Sequence, residues 1–372
     1  MTCLLLYIAV VFFETPTLQL GLLGAFVCGL GLTNQHTLIL FELPLVFCVL
    51  WVGRSFLLTF TGILKLIFVF ALGFSVYLYL PIVGFNVPVV SWGDSTTWDS
   101  FLVHLLRVEY GSFRLSADHT QGVGIDRMWG GLTHWASAFL WAESGGFGLL
   151  AILGVVIVVV EKTLLQSDPS QSARAGRMES HTHASDFPML AMFTFYLLVF
   201  HYLANLPLHG IADHISTICR FWMQPNLIAF LYLGVALTAI LDFLRKKLTS
   251  VPTPVLVSLA IGVISWQCQR NWEECDQSEN FIIREFGKSM LDPMPIGAML
   301  IGMGDHGTNS IRYMQAAEAY RLDVVVMDQN LMSTEWFQKM HAYKHFPAVI
   351  FPGRRYWPER TSFYVKRILL GV

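Results

Sequence analysis

The stretch RFWMQPNLIAFLYLGVALTAILDFLRKK, Arg220–Lys247, decides the class of this protein. Between a single arginine and a basic end it carries a long apolar run, and a helix needs about 20 such residues to cross a bilayer. It closes on the triplet RKK, and basic clusters of this kind mark the cytoplasmic end of a membrane helix. The stretch therefore predicts a spanning helix over 220–241, with Arg220 at the opposite face of the membrane.

The rest of the chain repeats this pattern. Of its 372 residues 54% are hydrophobic and 13% are charged, with a mean hydropathy of +0.54, whereas a soluble domain carries about 25% charged residues. The formal net charge of −2 gives no indication of a nucleic-acid partner. Apolar runs predict spans at 1–13, 18–33, 37–52, 66–83, 139–160, 187–204, 220–241 and 252–266. The sequence thus predicts a multi-pass α-helical membrane protein.

Basic residues in the connections predict how these helices are oriented. Three connections carry them, and alternation puts all three on the cytoplasmic side: 53–65, 161–186 and 242–251. The loops 84–138 and 205–219 and the C-terminal region 267–372 then share the other face, which in a eukaryotic cell is the lumen of the endoplasmic reticulum. We predict a membrane domain over 1–266, with a flexible cytoplasmic linker at 161–186, and a luminal region over 267–372.

The C-terminal region has the pattern of a soluble α/β fold. A buried strand is predicted in GAMLIGMGD, an amphipathic helix in NSIRYMQAAEAYR and a second buried strand in DVVVMDQNLM. One βαβ unit with parallel strands is expected. GMGDHG does not fit the GxGxxG spacing, so we interpret the region as an accessory domain rather than a nucleotide site. Cys268 and Cys275 precede it, either as a local disulfide or as two thiols.

The predicted luminal loop contains a dense polar and aromatic segment, SWGDSTTWDSFLVHLLRVEYGSF, residues 91–113. Its apolar spacing predicts a short amphipathic helix at the membrane surface, with His104 and Arg107 on one face. These side chains either contribute to a site, or Asp94 caps the helix while Arg107 and Glu109 are solvated.

Two further polar segments interrupt the apolar runs. GLTNQHTL, residues 31–38, is either part of a polar cavity that includes Asn34, Gln35 and His36, or a simple luminal turn. In ICRFWMQPN, residues 218–226, an arginine at the luminal mouth of a helix suits a phosphate group. The alternative is an interfacial arginine that extends toward water beside Trp222.

The ordered set of motifs resembles one family. GLGLTNQHTLILFELP, YLYLPI, WGDSTTWDSFLVHLLRVEYGSF, RFWMQPN, GDHGTNSIRYMQ, DVVVMDQNLMSTEWF and FPG follow one another along the chain. Together they resemble the eukaryotic transmembrane O-mannosyltransferases of the endoplasmic reticulum, which modify IPT domains of plexins and related receptors. The resemblance covers residues from about 20 to 357.

This resemblance implies a GT-C-like multi-pass α-helical domain followed by a luminal α/β region containing the βαβ unit. The implied donor is dolichyl-phosphate mannose and the acceptor is a Ser or Thr hydroxyl of a luminal protein domain. The implied partners are this lipid-linked donor, the protein acceptor and membrane lipids. No cofactor is expected, and no metal either, because the sequence has no Asp-x-Asp motif.

Residue chemistry suggests roles within such an enzyme. A departing lipid phosphate requires cations and hydrogen-bond donors, and aromatic rings suit sugar or lipid. Phosphate-binding candidates are Arg107, Arg220, His36 and His104; stacking candidates are Trp92, Tyr110 and Trp222; polar-cavity candidates are Asn34, Gln35, Glu109 and Gln224. Asp94 is a candidate supporting acid outside direct contact with the substrate, and the catalytic base is not assigned.

One departure from the family pattern is an acidic Gly-Asp-Ser-Gly-Glu motif that is absent from this sequence. The chain is therefore expected to be a fragment of the enzyme, shortened at both ends, or a catalytically inactive scaffold of the same fold. A transporter is the remaining alternative, but it would require charges at mid-helix positions and internal repeats. Apart from Glu42, the charges lie in loops or at helix ends.

Overall fold

The structure is a computed structural model, and it is mainly helical. It describes residues 1–88, 93–106, 108, 124–167, 186–206, 208, 212–247, 253–332, 336–346 and 349. The α-helices are α1 (Thr2–Glu14), α2 (Leu18–Asn34), α3 (Ile39–Val52), α4 (Arg54–Leu57), α5 (Phe60–Phe74), α6 (Tyr79–Gly84), α7 (Trp98–Leu105), α8 (Ile125–Ser137), α9 (Gly148–Ser167), α10 (Asp186–Ala204), α11 (Ala212–Cys219), α12 (Met223–Lys247), α13 (Thr253–Cys275), α14 (Ile282–Leu291), α15 (Asp305–Glu318), α16 (Gln329–Met332) and α17 (Tyr343–His345). The described residues also form two strands, β1 (Met299–Gly302) and β2 (Val325–Asp328).

The chain divides into two compact units. The first consists of residues 1–77 and 110–267, and the second of residues 78–109 and 268–372. Two helices of the described chain are long and apolar enough to cross a membrane, Phe60–Gly84 and Met223–Leu244. The prediction of a helical membrane protein is thereby supported, while the orientation of the helices stays a prediction.

Other apolar helices are shorter or broken. Four helices of 10–17 residues lie at positions where spans are predicted: Thr2–Glu14, Leu18–Asn34, His36–Val52 and Pro188–Ala204. The span predicted at 139–160 is not one straight helix, because Ile125–Glu143 and Gly148–Val160 meet at a bend of 112° and form either a broken span or a re-entrant loop. Gly145 and Gly146 lie in this bend with φ of 64° and 90°, a backbone region that glycine adopts at little cost.

Close helix contacts hold the first unit together. α2 packs on α5 where Gly29 faces the backbone carbonyl of Phe70 and Gly73 faces that of Phe26. α9 packs on α12 in the same way, and a methyl group on Gly154 would overlap the carbonyl of Tyr232. Small residues let membrane helices approach at backbone distance, so dispersion contacts form along the whole crossing. These crossings fix the positions of the helix ends that carry the polar segments.

The second unit contains the predicted βαβ arrangement. β1 and β2 pair in parallel, with Met299 opposite Val325 and Gly302 opposite Asp328. α15 lies between them in sequence and packs on α14 through a small core that includes Leu291 and Met314. The predicted strand–helix–strand order is therefore observed, while its luminal location remains a prediction.

Arg321 stabilises the loop that leads into β1 through hydrogen bonds to its backbone. Its guanidinium pairs with Asp323 at 2.8 Å and donates to the carbonyls of Leu291, Met294 and Pro295 at 2.9–3.1 Å. The pKa of the Asp323 carboxyl falls to about 2, first because of the hydrogen bond from Arg321 and then because of the Gly297 backbone N–H. This contact therefore favours the folded unit at neutral pH.

Cys268 and Cys275 are two thiols rather than a disulfide. Both lie in α13, which continues to residue 275 instead of ending at the predicted 266. Seven residues of helix separate the two positions by roughly 10 Å, whereas a disulfide needs Cα atoms within about 7 Å. The alternative of a local disulfide is incompatible with this helix.

Candidate functional site

A chain of hydrogen bonds joins two of the polar segments in the first unit. The Gln224 amide nitrogen donates to the Gln35 side-chain oxygen at 3.1 Å. The Tyr196 hydroxyl lies 3.3 Å from the Gln224 side-chain oxygen and donates to the backbone carbonyl of Phe221 at 2.8 Å. Gln224 is only 4% exposed. Residues 189 positions apart in the chain thus meet in one largely buried network, in which Gln35 is half-buried. We call it the glutamine network (Gln35, Tyr196, Gln224).

Local backbone structure explains this meeting. α2 ends at Asn34, Gln35 is extended with φ −150° and ψ 112°, and a 3₁₀ turn follows at His36–Leu38. Gln224 is the second residue of α12 and precedes Pro225, which is tolerated there because the first turn lacks acceptors for its N–H groups. Both glutamines therefore sit at helix ends rather than in the middle of an apolar helix.

His36 lies beside a second aromatic hydroxyl. Its Nε2 atom is 3.3 Å from the Tyr77 hydroxyl, and the two rings meet edge to face at 5.6 Å. Phe74 stacks on Tyr77 with ring centroids 5.3 Å apart. The imidazole is therefore held in place by Tyr77, which lies in the 3₁₀ turn that follows α5. The neighbouring Asn34 is exposed at the last residue of α2.

A second polar group lies at the bent helix pair. The Asn226 side chain accepts a hydrogen bond from the Trp135 indole at 2.8 Å and donates to the Glu143 carboxylate. Gln267 donates to the backbone carbonyl of Glu143 at 3.1 Å. Asn226 belongs to the predicted RFWMQPN motif, but its partners were not predicted, because nothing in the local pattern indicates which distant helices meet it.

Trp222 and His201 are buried together, each 2% exposed, with ring centroids 6.2 Å apart. A side chain on Gly131 would overlap the imidazole of His201. The ring nitrogens of His201 and the indole nitrogen of Trp222 have no hydrogen-bond partner within the described part of the chain. Trp222, a predicted stacking residue, thus lies in the core with its ring covered by other side chains.

Arg220 is exposed, and its guanidinium lies over the Phe221 ring at 5.1 Å. This placement keeps the charge accessible to a ligand. It is equally the geometry of an arginine that extends along aromatic surface toward water. Both predicted alternatives for Arg220 therefore stay open.

In the second unit, the Asp94 carboxylate binds residues of its own loop and the start of α7. It accepts hydrogen bonds from the Thr96 backbone and hydroxyl at 2.8 and 2.6 Å, and from the Ser100 hydroxyl at 3.4 Å. The predicted amphipathic helix is observed as α7, capped by the Thr97 side chain, with His104 half-buried in its last turn. Four predicted residues lie outside the described part of the chain: Trp92, Arg107, Glu109 and Tyr110.

The described residues contain no group of three or more His, Cys, Asp or Glu side chains arranged to hold a metal ion. The polar groups gathered in the first unit are mostly amides, ring hydroxyls and imidazoles. Such groups donate and accept hydrogen bonds without net charge, which suits a ligand rich in hydroxyl groups. Fold and polar groups define a helical membrane protein with a buried polar network at its helix ends.

Comparison with known proteins makes this class more specific. A protein named "Protein O-mannosyl-transferase TMEM260" from Mus musculus is 30% identical over 349 residues, or 91% of this chain and 46% of that protein. The tmem260 protein O-mannosyl-transferase of Dictyostelium discoideum is 29% identical over 365 residues, or 93% of this chain and 42% of that protein. The domain family described as TMEM260-associated domain 2 matches residues 283–351. No solved structure matches the chain.

The resemblance to transmembrane O-mannosyltransferases is therefore confirmed along nearly the whole chain. The chain spans less than half the length of the two curated relatives. The glutamine network joins two of the motifs that carry the resemblance, GLTNQHTL and RFWMQPN. The domain match covers α15, both strands and the segments around them.

Proposed function

We propose that this chain is part of a protein O-mannosyltransferase of the endoplasmic-reticulum membrane. It transfers mannose from dolichyl-phosphate mannose to Ser or Thr hydroxyls of luminal acceptor domains such as IPT domains. The names of the two relatives support the transferase class. The donor, the acceptor, the GT-C architecture and the luminal position of the second unit follow from the family resemblance and belong to the proposal.

The observation that carries the proposal is the hydrogen bond between Gln35 and Gln224. It brings two polar motifs to one place at helix ends, where a membrane-borne donor can present its sugar. Amide groups and the Tyr196 hydroxyl suit sugar hydroxyls, and the His36–Tyr77 pair supplies a further oriented donor or acceptor. These groups position the donor, and no catalytic base is assigned among them.

Arg220 binds the lipid phosphate in this proposal. A departing phosphate accumulates negative charge, and an accessible guanidinium stabilises it through charge-assisted hydrogen bonds. One such bond contributes about 1.5–3 kcal/mol, which corresponds to roughly a 10- to 100-fold change in kcat/KM. His104 and Arg107 remain candidates for the phosphate site and Asp94 remains a candidate supporting acid, although Arg107 lies outside the described part of the chain.

The proposal is tested by donor kinetics in microsomes. Because the chain spans less than half of its relatives, it is placed in the mouse relative in exchange for the matching segment. Arg220→Ala should lower kcat/KM for dolichyl-phosphate mannose about 10- to 100-fold. The matched control is Arg54→Ala, another exposed arginine over an aromatic ring, at 5.3 Å from Trp51. Equal kinetics in both variants would remove Arg220 from the phosphate site.

An inactive scaffold is the competing function. The observation in its favour is that this sequence contains no Gly-Asp-Ser-Gly-Glu motif. A scaffold keeps the fold and the glutamine network while transferring no sugar. Because the exchange leaves the rest of the mouse relative in place, such a scaffold must lack more than this motif. It predicts that the exchange abolishes transfer although the exchanged protein accumulates in the membrane and still binds an IPT-domain acceptor.

A further inference from the structure

An apolar groove of about 530 Å³ lies within the first unit, and its lining includes none of the three residues of the glutamine network. Four helices line it, α1, α2, α3 and α5, with the short α4 segment at one side. On α2 the lining residues run from Leu20 to Leu32, which is roughly 18 Å of helix. The groove therefore fits an elongated hydrocarbon body that lies along the helix.

One buried carboxyl group interrupts this apolar surface. Glu42 is among the residues that line the groove and is only 2% exposed. Its Oε1 atom has no hydrogen-bond partner within the described residues. A buried polar group without a partner costs several kcal/mol in an apolar environment. A ligand that donates a hydrogen bond to Glu42 would offset that cost.

The position of Glu42 indicates where along the groove the hydrogen-bonding head of such a ligand would lie. Its Oε1 atom lies beside Gly31, 3.1 Å from where a Cβ atom would be. Gly31 is one turn before Asn34, the last residue of α2, and the polar turn at His36 follows. The carboxyl therefore marks the end of the groove nearest the polar segment, and the apolar lining extends from it toward Leu20.

We infer that the groove binds a lipid alcohol, meaning an amphiphile with one uncharged hydroxyl head and an extended hydrocarbon body. The hydroxyl donates to Glu42 and the body lies along α2. A hydroxyl suits this position better than a phosphate ester, because phosphate oxygens are negatively charged acceptors and would face a carboxyl. The site is thus distinct from the proposed donor site, and it does not depend on the transferase proposal.

The test uses photoreactive, alkyne-tagged probes on the full chain in membranes, with labelled peptides mapped by mass spectrometry. The probes are a sterol, a straight long-chain alcohol, the methyl ether of each, and a polyprenyl phosphate. One hydrogen bond to a carboxyl group predicts that the alcohols label α1, α2, α3 or α5 about 10-fold more than their ethers. Comparison of the sterol with the straight-chain alcohol shows which kind of lipid alcohol the groove binds.

Matched variants separate the ligand contact from folding. Glu42→Gln keeps an acceptor but adds an N–H donor that the ether oxygen can accept, so the preference for the alcohol should narrow. Glu42→Leu should label equally with alcohol and ether. Gly24→Leu should block labelling, because Gly24 lines the groove and a Cβ atom added there would lie 3.8 Å from Ile8, its nearest contact. Gly234→Leu on α12 is the control and should label as the wild type does, because a Cβ atom added there would meet no other described side chain or neighbouring helix within 4 Å.

Three results would overturn the inference. They are equal labelling of the wild type by alcohol and ether, stronger labelling by the polyprenyl phosphate than by either alcohol, and no labelling of the groove helices by any probe. The ether comparison uses the unmodified protein, so it remains decisive even if a variant fails to fold. Mannose transfer is measured separately and bears on the proposed function alone.

Discussion

The bond between Gln35 and Gln224 can be tested by a double-mutant cycle. Gln35→Leu removes one hydrogen bond, and Gln224→Leu removes that bond together with the contact to Tyr196. A neutral buried hydrogen bond contributes about 0.5–1.5 kcal/mol, so the single variants should lose about 1 and about 2 kcal/mol of unfolding free energy. Because the shared bond is lost only once, the double variant should be about 1 kcal/mol more stable than the sum predicts.

The assay is reversible unfolding in mixed detergent micelles, read by tryptophan fluorescence. Gln35→Leu combined with Gln267→Leu is the control cycle, because Gln267 donates to the backbone carbonyl of Glu143. In this control cycle the losses of unfolding free energy in the two single variants should add up to the loss in the double variant within about 0.5 kcal/mol. A coupling below about 0.3 kcal/mol for Gln35 and Gln224, a value within the scatter of additive pairs, would refute the network.

Three further outcomes are expected. Gly154→Ala should destabilise the protein by about 1–3 kcal/mol through overpacking, while Gly234→Ala, with open space around it, should stabilise it slightly in the same thermal melt. Asp323 has a depressed pKa of about 2. Its contribution to the free energy of unfolding is therefore present above about pH 4 and is lost as the pH falls toward 2. Asp323→Asn should flatten the acid limb of the pH–stability curve. Cys268 and Cys275 should both react with maleimide without a reductant, and a protected pair would contradict the continuous helix.

Much of the helical fold follows from the sequence because apolar run length has a direct physical meaning in a bilayer. The Met223–Lys247 helix was predictable in this way, as was the strand–helix–strand order of the second unit. The bend between Glu143 and Gly148 was not, because an apolar run does not show where glycine backbones turn. The apolar run predicted at 139–160 therefore contains a bend that the sequence pattern did not indicate.

The candidate site was only partly predictable for a similar reason. Gln35 and Gln224 stand out in the sequence because polar side chains are costly near membrane depth. Tyr196 does not stand out, since a tyrosine in an apolar helix is ordinary until the fold brings its hydroxyl to Gln224. The roles of Trp222 and Arg220 depend on burial, which tertiary packing sets. The Trp222 ring is covered by other side chains, whereas the Arg220 side chain is exposed.

Product formation tests the central claim most directly. Microsomes that carry the mouse relative with this chain in exchange for the matching segment are incubated with dolichyl-phosphate mannose and an isolated IPT domain. The account predicts that the acceptor gains mannose on Ser or Thr, measured by mass spectrometry of its peptides. If the exchanged protein is present in the membrane, the unmodified relative is active, and no mannose appears, the chain does not support the transferase reaction and the scaffold interpretation replaces it.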